Sequence, residues 1–170
     1  LAQLNPIVGD LEKNSKIILE TYKKASKSKV DILAFPEMFL SGYQIQDLVF
    51  SPAFQKDLEK YIRFIGKHCT NNPYLLLGSP VVKKNQIFNA YLLLKDGEAN
   101  IISKKYHLPN NTLFDEKRYF SQSDHKALLE IKGIKIGFPI CEDIWYEDIS
   151  KILKKKGADL LISPNGSPYE

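Results

Sequence analysis

Cysteine is scarce in this chain: the 170 residues contain two, Cys69 and Cys141. Two thiols far apart make no disulfide framework, and no C-x-x-C pair exists to grip zinc. Long apolar runs are missing too. Nothing approaches the roughly 20 residues a membrane helix needs, and no signal-type segment opens the sequence. There is no G-x-G-x-x-G or Walker lysine loop to cradle phosphates, and no G-x-S-x-G elbow for a serine nucleophile. No histidine or carboxylate group has metal-ligand spacing. A dominant charge is also absent, since 24 basic residues face 20 acidic ones for a net +4. The lysines lie in helical-looking stretches such as ETYKKASKSK and KILKKKG, which read as solvated helix faces rather than a nucleic-acid surface. These gaps leave a protein of a reducing cytoplasm, with no membrane or nucleic-acid partner and no resident metal, as the expectation.

What is present is an ordinary globular balance, with 44% hydrophobic and 26% charged residues, enough apolar material for a core without staples. Helix and strand patterns alternate. LAQLNPIVG reads as a short first strand and loop. Asp10 can cap a helix from Leu11 whose apolar stripe runs through Leu11, Ile18, Tyr22 and Ala25. VDILAFPE reads as a buried strand stopped by Pro36. Residues 52–70 form a second helix, with Phe54, Leu58, Tyr61, Ile65 and Cys69 on one face. Cys69 therefore reads as a buried packing residue. YLLLGSPVV, QIFNAYLLLKDGEANIISKKY, KALLEI and IKIGFPI are strands, with turns at Asp96-Gly97 and Lys132-Gly133. Residues 147–156 are a third helix, and ADLLISPN is a last strand. Helices covering mixed sheets, with hairpins between consecutive strands, follow from this order.

Reactive groups in such folds gather at the carboxyl ends of strands. Glu37 follows VDILAFP, Lys105 follows NIIS, and Cys141 follows KIGFPI. A thiol with a pKa of about 8.5 is only a few per cent thiolate at neutral pH. An ammonium favours the thiolate and a carboxylate can take its proton. Each residue also has a plainer reading. Glu37 suits a helix start, Lys105 an exposed lysine pair, and Cys141 core packing. His107, in HLPN, reads as a hydrogen-bonded structural residue. A strand-end lysine is expected to contribute little packing.

Three motifs, in order, give these residues a shared context: LAFPEMFLSGY with Glu37, SKKYHLP with Lys105, and GFPICEDIWY with Cys141. Together they resemble the nitrilase, or carbon–nitrogen hydrolase, superfamily. FDEKRYF, GYQIQDL, CEDIW and the closing NGSPYE resemble, more narrowly, the glutaminase domain of the glutamine-dependent NAD synthetases. The likeness covers the whole chain.

The resemblance implies an α-β-β-α sandwich with mixed sheets. It also implies that residues 1–170 are a glutaminase domain incomplete at its C-terminal end, with the synthetase domain absent. Cys141 would be the nucleophile, Glu37 the general base and Lys105 the oxyanion partner. The backbone N–H that Glu142 supplies just after the cysteine would be a second donor. Tyr43, Asn111, Glu116 and Ser167 would contact substrate. Asn111 departs from the family pattern, which often has a tyrosine after LPN. The implied reaction is glutamine hydrolysis through a thioester, delivering ammonia that converts nicotinic acid adenine dinucleotide to NAD. This domain would need no cofactor, ATP and Mg²⁺ belonging to the synthetase domain. Partners would be glutamine, that domain, and further copies of the chain in a homo-oligomer. A stand-alone amidase with another small amide substrate, and a non-catalytic fragment, are the competing readings.

Overall fold

The structure is a computed structural model that describes residues 1–70, 72–111 and 113–167. Thr112 of LPNNTLFDE and the last three residues of NGSPYE lie outside the described residues.

Helix α1 spans Leu11–Lys27, and the Asp10 carboxylate accepts a hydrogen bond from the Lys13 N–H. Helix α2 spans Pro52–His68, with Ser51 Oγ accepting from the Phe54 N–H and proline in the first turn. That proline has no N–H to lose at a helix start. Of the expected stripes, Leu11, Ile18 and Tyr22 on α1 and Phe54, Leu58 and Ile65 on α2 are buried, while Ala25 and Tyr61 are half-buried against the same core. Cys69 caps α2 and is fully buried.

Four strands make the first sheet: β1 (Ile32–Ala34), β2 (Tyr74–Lys83), β3 (Gln86–Lys95) and β4 (Glu98–Lys104), in that order. β1 is parallel to β2, and the other pairs are antiparallel. A two-residue hairpin at Asp96-Gly97 joins β3 to β4, with φ of 52° and 85°. The apolar runs of β2 and β3 reflect burial on both faces. Leu75, Leu77, Ala90, Leu92 and Leu94 pack with α1 and α2. The alternate residues Leu76 and Tyr91 pack with Ile131, Ile136, Phe138 and Ile140 of the second sheet.

A short hairpin of β5 (Asn110–Asn111) and β6 (Phe114–Asp115) leads into the single-turn helix α3 (Glu116–Tyr119). The second sheet holds β7 (Leu128–Ile131), β8 (Ile134–Gly137) and β9 (Leu160–Leu161). Helix α4 (Glu147–Lys155) buries Ile149 and Leu153. A Cβ at Gly137 would lie 2.9 Å from a Leu153 methyl, so α4 presses directly on β8. The layers are therefore helix, sheet, sheet, helix, as expected.

Three expectations fail locally. Residues 1–9 contain no strand; Ala2 N–H donates to the Ala34 carbonyl, but Pro6 has no N–H with which to continue a ladder. β8 ends at Gly137, three residues before Ile140. β9 keeps only two residues of ADLLISPN.

Candidate active site

Glu37 is placed by the close passage of two chain segments. Beyond β1 the backbone runs on beside β2, with Phe35 N–H donating to Leu76 O and Leu40 N–H to Gly78 O. A Cβ at Gly78 would fall 2.4 Å from both the Met38 nitrogen and the Pro36 carbonyl oxygen. Only glycine lets the turn carrying Glu37 cross β2 this closely. Glu37 is 2% exposed and lies in no helix, so the helix-start reading does not hold.

Lys105 follows β4 directly, and its N–H donates to the Asn89 carbonyl on the neighbouring strand β3. Its side chain is completely buried, and its ammonium donates to Glu37 Oε1 at 2.8 Å and Glu116 Oε1 at 2.9 Å. The exposed-lysine reading is thereby corrected. Burial opposes the charge, but the carboxylates of Glu37 and Glu116 outweigh it and hold the lysine pKa above its ordinary value. Lys105 is a fixed cation at any physiological pH.

Cys141 sits where the chain leaving β8 turns sharply into a 3-10 segment, Cys141–Trp145. Its φ is +46°, a left-handed conformation costing on the order of 1–3 kcal/mol for a residue with a side chain. The surrounding structure holds it there. Cys141 N–H donates to Pro164 O at 3.0 Å, and Asp143 N–H returns to Ile140 O. The sulfur lies 3.9 Å from Ser167 Oγ. Burial, then the Glu37 carboxylate, push the thiol up to about 11. Lys105, a Gly166 backbone hydrogen bond and Ser167 pull the other way without winning. Burial thus favours the thiol over the thiolate at this position. The ammonium does not by itself generate a thiolate.

Glu116, at the head of α3, is 3% exposed. Its Oε1 receives both Lys105 and the Tyr43 hydroxyl, the latter at 2.6 Å. Burial and the neighbouring Glu37 charge lift its carboxyl to about 7, against the opposing pull of Lys105. Tyr43 is held neutral, its pKa raised by burial and by both glutamates. A cavity of about 280 Å³ opens on this side of the cluster, lined among others by Tyr43, Asn111, Phe114, Glu116 and Tyr119. Asn111 stands at its exposed rim on β5, accepting from the Leu113 N–H. Glu142 is half-buried in the first turn after the sulfur. His107 donates its backbone N–H to Asp143, and its ring nitrogen is 2.9 Å from the Asp148 carboxylate, the structural role expected of it.

One buried member was not anticipated. Asn89, 1% exposed, donates from Nδ2 to Glu37 Oε1 at 2.7 Å. A polar residue inside the apolar run of QIFNAYLLL was the available signal. Three acceptor atoms here, Glu37 Oε2, Glu116 Oε2 and Asn89 Oδ1, are buried without a partner among the described residues. A Cβ at Gly166 would come within 3.2 Å of Glu37 Oε2 and 2.9 Å of the Tyr43 ring, so glycine lets this backbone lie against the site. Among the described residues, no cluster of three histidine, cysteine, aspartate or glutamate side chains could hold a metal ion, and no helix is long and apolar enough to cross a membrane.

Comparison with known proteins identifies the family and the fold. The carbon-nitrogen hydrolase family model matches residues 1–170. Over 169 residues the chain is 40% identical to a glutamine-dependent NAD(+) synthetase of Rhodobacter capsulatus, covering 99% of the chain and 31% of that protein. A glutamine-dependent NAD(+) synthetase of Aquifex aeolicus is likewise 40% identical, with 99% and 30% covered. The chain thus spans about a third of the length of these relatives. The solved glutamine-dependent NAD+ synthetase of Acinetobacter baumannii superposes with a TM-score of 0.93 at 32% identity, over 100% of the chain and 32% of that structure. A nitrilase-superfamily amidase of Nesterenkonia shares the fold, with a TM-score of 0.79 at 18% identity over 96% of the chain and 62% of its own. With its fold, its buried glutamate–lysine cluster and the full-length family match, the chain belongs to the carbon-nitrogen hydrolase family.

Proposed function

We propose that this domain hydrolyses the side-chain amide of glutamine. Glu37 removes the Cys141 proton as the sulfur attacks the carboxamide carbon. The carbonyl oxygen gains the negative charge, stabilised by the Lys105 ammonium and the backbone N–H of Glu142. The tetrahedral intermediate collapses, Glu37 returns the proton to the leaving nitrogen, and ammonia departs from a γ-glutamyl thioester. Water then loses a proton to Glu37 and attacks the thioester, releasing glutamate and restoring the thiol. Two moderate barriers replace one high barrier, which suits an amide with a poor leaving group.

The observation carrying this reading is the convergence of Glu37 and Lys105, 68 residues apart, at 2.8 Å in a sealed cluster whose charges act on the Cys141 thiol. Burial and Glu37 hold the thiol above its ordinary pKa, so its attack calls for a base, and a carboxylate is what the cluster offers. Tyr43, Asn111, Glu116 and Ser167 would bind and select substrate. Glutamine, rather than another amide, is favoured by the 40% identity to two glutamine-dependent synthetases. The ammonia would then serve NAD formation from nicotinic acid adenine dinucleotide in a synthetase partner domain, where ATP and Mg²⁺ act.

The test is ammonia release from glutamine, with asparagine and simple aliphatic amides as competitors, by the full natural chain and its Cys141→Ala variant. We expect the variant to lose turnover entirely and glutamine to be the preferred amide. Turnover surviving in a folded Cys141→Ala protein would reject the nucleophile. Equal turnover of aliphatic amides would favour the general amidase reading.

A further inference from the structure

A second buried ion pair lies beside the first and belongs to none of the roles above. Asp143 and Lys126 have fully buried side chains, with Lys126 Nζ 2.7 Å from Asp143 Oδ2. Among the described residues, the other hydrogen bonds of these two side chains go to backbone flanking the site. Asp143 Oδ1 accepts from the N–H groups of Tyr106 and His107, at 3.0 and 2.9 Å. Asp143 Oδ2 also accepts from the Ile140 N–H, at 3.0 Å. Lys126 donates to the Lys104 carbonyl. Lys126 itself is anchored by its bridge to Ser103 and by flanking bonds from Lys104 N–H to His125 O and from Ala127 N–H to Ile102 O.

The pattern is specific. Lys104 and Tyr106 flank Lys105, and Ile140 immediately precedes Cys141. One ion pair thus grips the chain on both sides of the lysine and at the entrance to the strained cysteine turn. The two segments are 36 residues apart in sequence. The Ile140 bond also caps the 3-10 segment that begins at Cys141, and the other three backbone groups lie on the Lys105 segment.

We propose that Asp143 and Lys126 are positioning residues that set the Lys105 ammonium in register with the Cys141 sulfur. The proposal rests on the reading of Lys105 and Cys141 given above. Its physical basis is steep: a displacement of about 1 Å at reacting groups can cost roughly 100-fold in rate. Asp143→Asn keeps the shape but removes the charge that holds Lys126 and at least one of the four accepted bonds. The site would loosen without losing any group that touches substrate.

The experiment compares the full natural chain with Asp143→Asn, Lys126→Arg and the double variant Asp143→Asn/Lys126→Met. Two readouts are needed: steady-state glutamine hydrolysis, and the pH dependence of Cys141 alkylation by iodoacetamide. We expect Asp143→Asn to lower kcat about 100-fold with KM changed less than about threefold. Lys126→Arg, which keeps the charge, should keep most of the wild-type rate. The alkylation midpoint of Asp143→Asn should move up, because Lys105 no longer sits where it favours the thiolate against Glu37. A merely structural pair would lower the folded fraction, leaving the midpoint of the remaining folded protein unmoved. A folded Asp143→Asn with near-normal kcat and an unmoved midpoint overturns the proposal. If Asp143→Asn fails to fold, the double variant, which leaves no unpaired buried charge, carries the same comparison. Normal kcat and an unmoved midpoint there overturn it equally. Should the wild-type chain prove inactive on glutamine, the proposed substrate falls, while the alkylation profile still decides the positioning role.

Discussion

Lys105 and Lys126 are buried to the same degree and each meets a buried carboxylate, yet their surroundings act in opposite directions. Lys105 faces two glutamates, which raise its pKa against the cost of burial. Lys126 is paired with Asp143 and feels Asp124 as well, yet burial, helped by the Lys105 charge, prevails and leaves its pKa lowered. The carboxylates differ as well. Asp143 receives four donors on its two oxygens. Glu37 and Glu116 each leave one buried oxygen without a partner among the described residues. An unmet buried acceptor costs about 1–3 kcal/mol. A cluster that serves only stability has no reason to bear that cost twice. On the proposed function, the saturated pair is a clamp and the unsaturated one meets further groups during reaction.

The largest effect should come from breaking the unsaturated cluster. Lys105→Met removes the proposed oxyanion partner, and on that proposal acylation by glutamine should slow by at least about 100-fold. It should also destabilise the fold, because Glu37 and Glu116 would then face each other buried without their cation. The sequence-based expectation that a strand-end lysine packs little is wrong for this reason. Adding Glu116→Gln to Lys105→Met should restore much of the stability and none of the activity, read by thermal melts beside single-turnover assays. Recovery of both together would mean that Lys105 matters only for folding.

Much of this was legible in the residues and some was not, for identifiable reasons. Asp10, the α1 and α2 stripes, and the Asp96-Gly97 and Lys132-Gly133 turns are local chemistry, and the structure agrees with each. The positions of Glu37, Lys105 and Cys141 after strand-like runs were visible for the same reason. The burial of Lys105 was not, since Lys104-Lys105 looks like any exposed pair until a glutamate 68 residues away is folded against it. Asp143 is hidden in the same way, 17 residues from Lys126 and beside a more conspicuous cysteine. LAQLNPIVG is rich in apolar residues and reads as a strand, but among the described residues no neighbouring strand completes its ladder beyond Ala2.

Glu116 sharpens the contrast at smaller amplitude. Its carboxyl is raised from the ordinary 4.5 to about 7. Between those values the folded protein holds a proton that the unfolded chain has released. Stability from this group therefore falls as pH rises from about 4.5 to about 7, by on the order of a few kcal/mol. Glu116→Gln keeps acceptors for Lys105 and Tyr43 but cannot ionise. Relative to the wild type it should gain stability as pH rises across that window. The measurement is the difference in denaturation midpoint at pH 5 and pH 8. A difference that is flat with pH would show that Glu116 ionises at its ordinary value.

The smallest effect should come from the other thiol, and it isolates what burial alone does to a cysteine. Burial pushes Cys69 up to about 12, opposed only by Lys95, whereas Cys141 reaches about 11 under burial, a glutamate and three opposing influences. The two values are close, so pKa does not distinguish the residues; their neighbours do. Cys69 caps α2 in the core between the helices and the first sheet, with no base acting on it. Its backbone N–H donates to Gly66 O and its carbonyl accepts from Gly97 N–H, bonds that alanine preserves. Cys69→Ala should therefore cost about 1 kcal/mol of stability, seen as a small shift in urea midpoint, with glutamine turnover and Cys141 alkylation unchanged. Loss of turnover in the folded Cys69→Ala protein would mean that the division between packing thiol and reactive thiol is drawn in the wrong place.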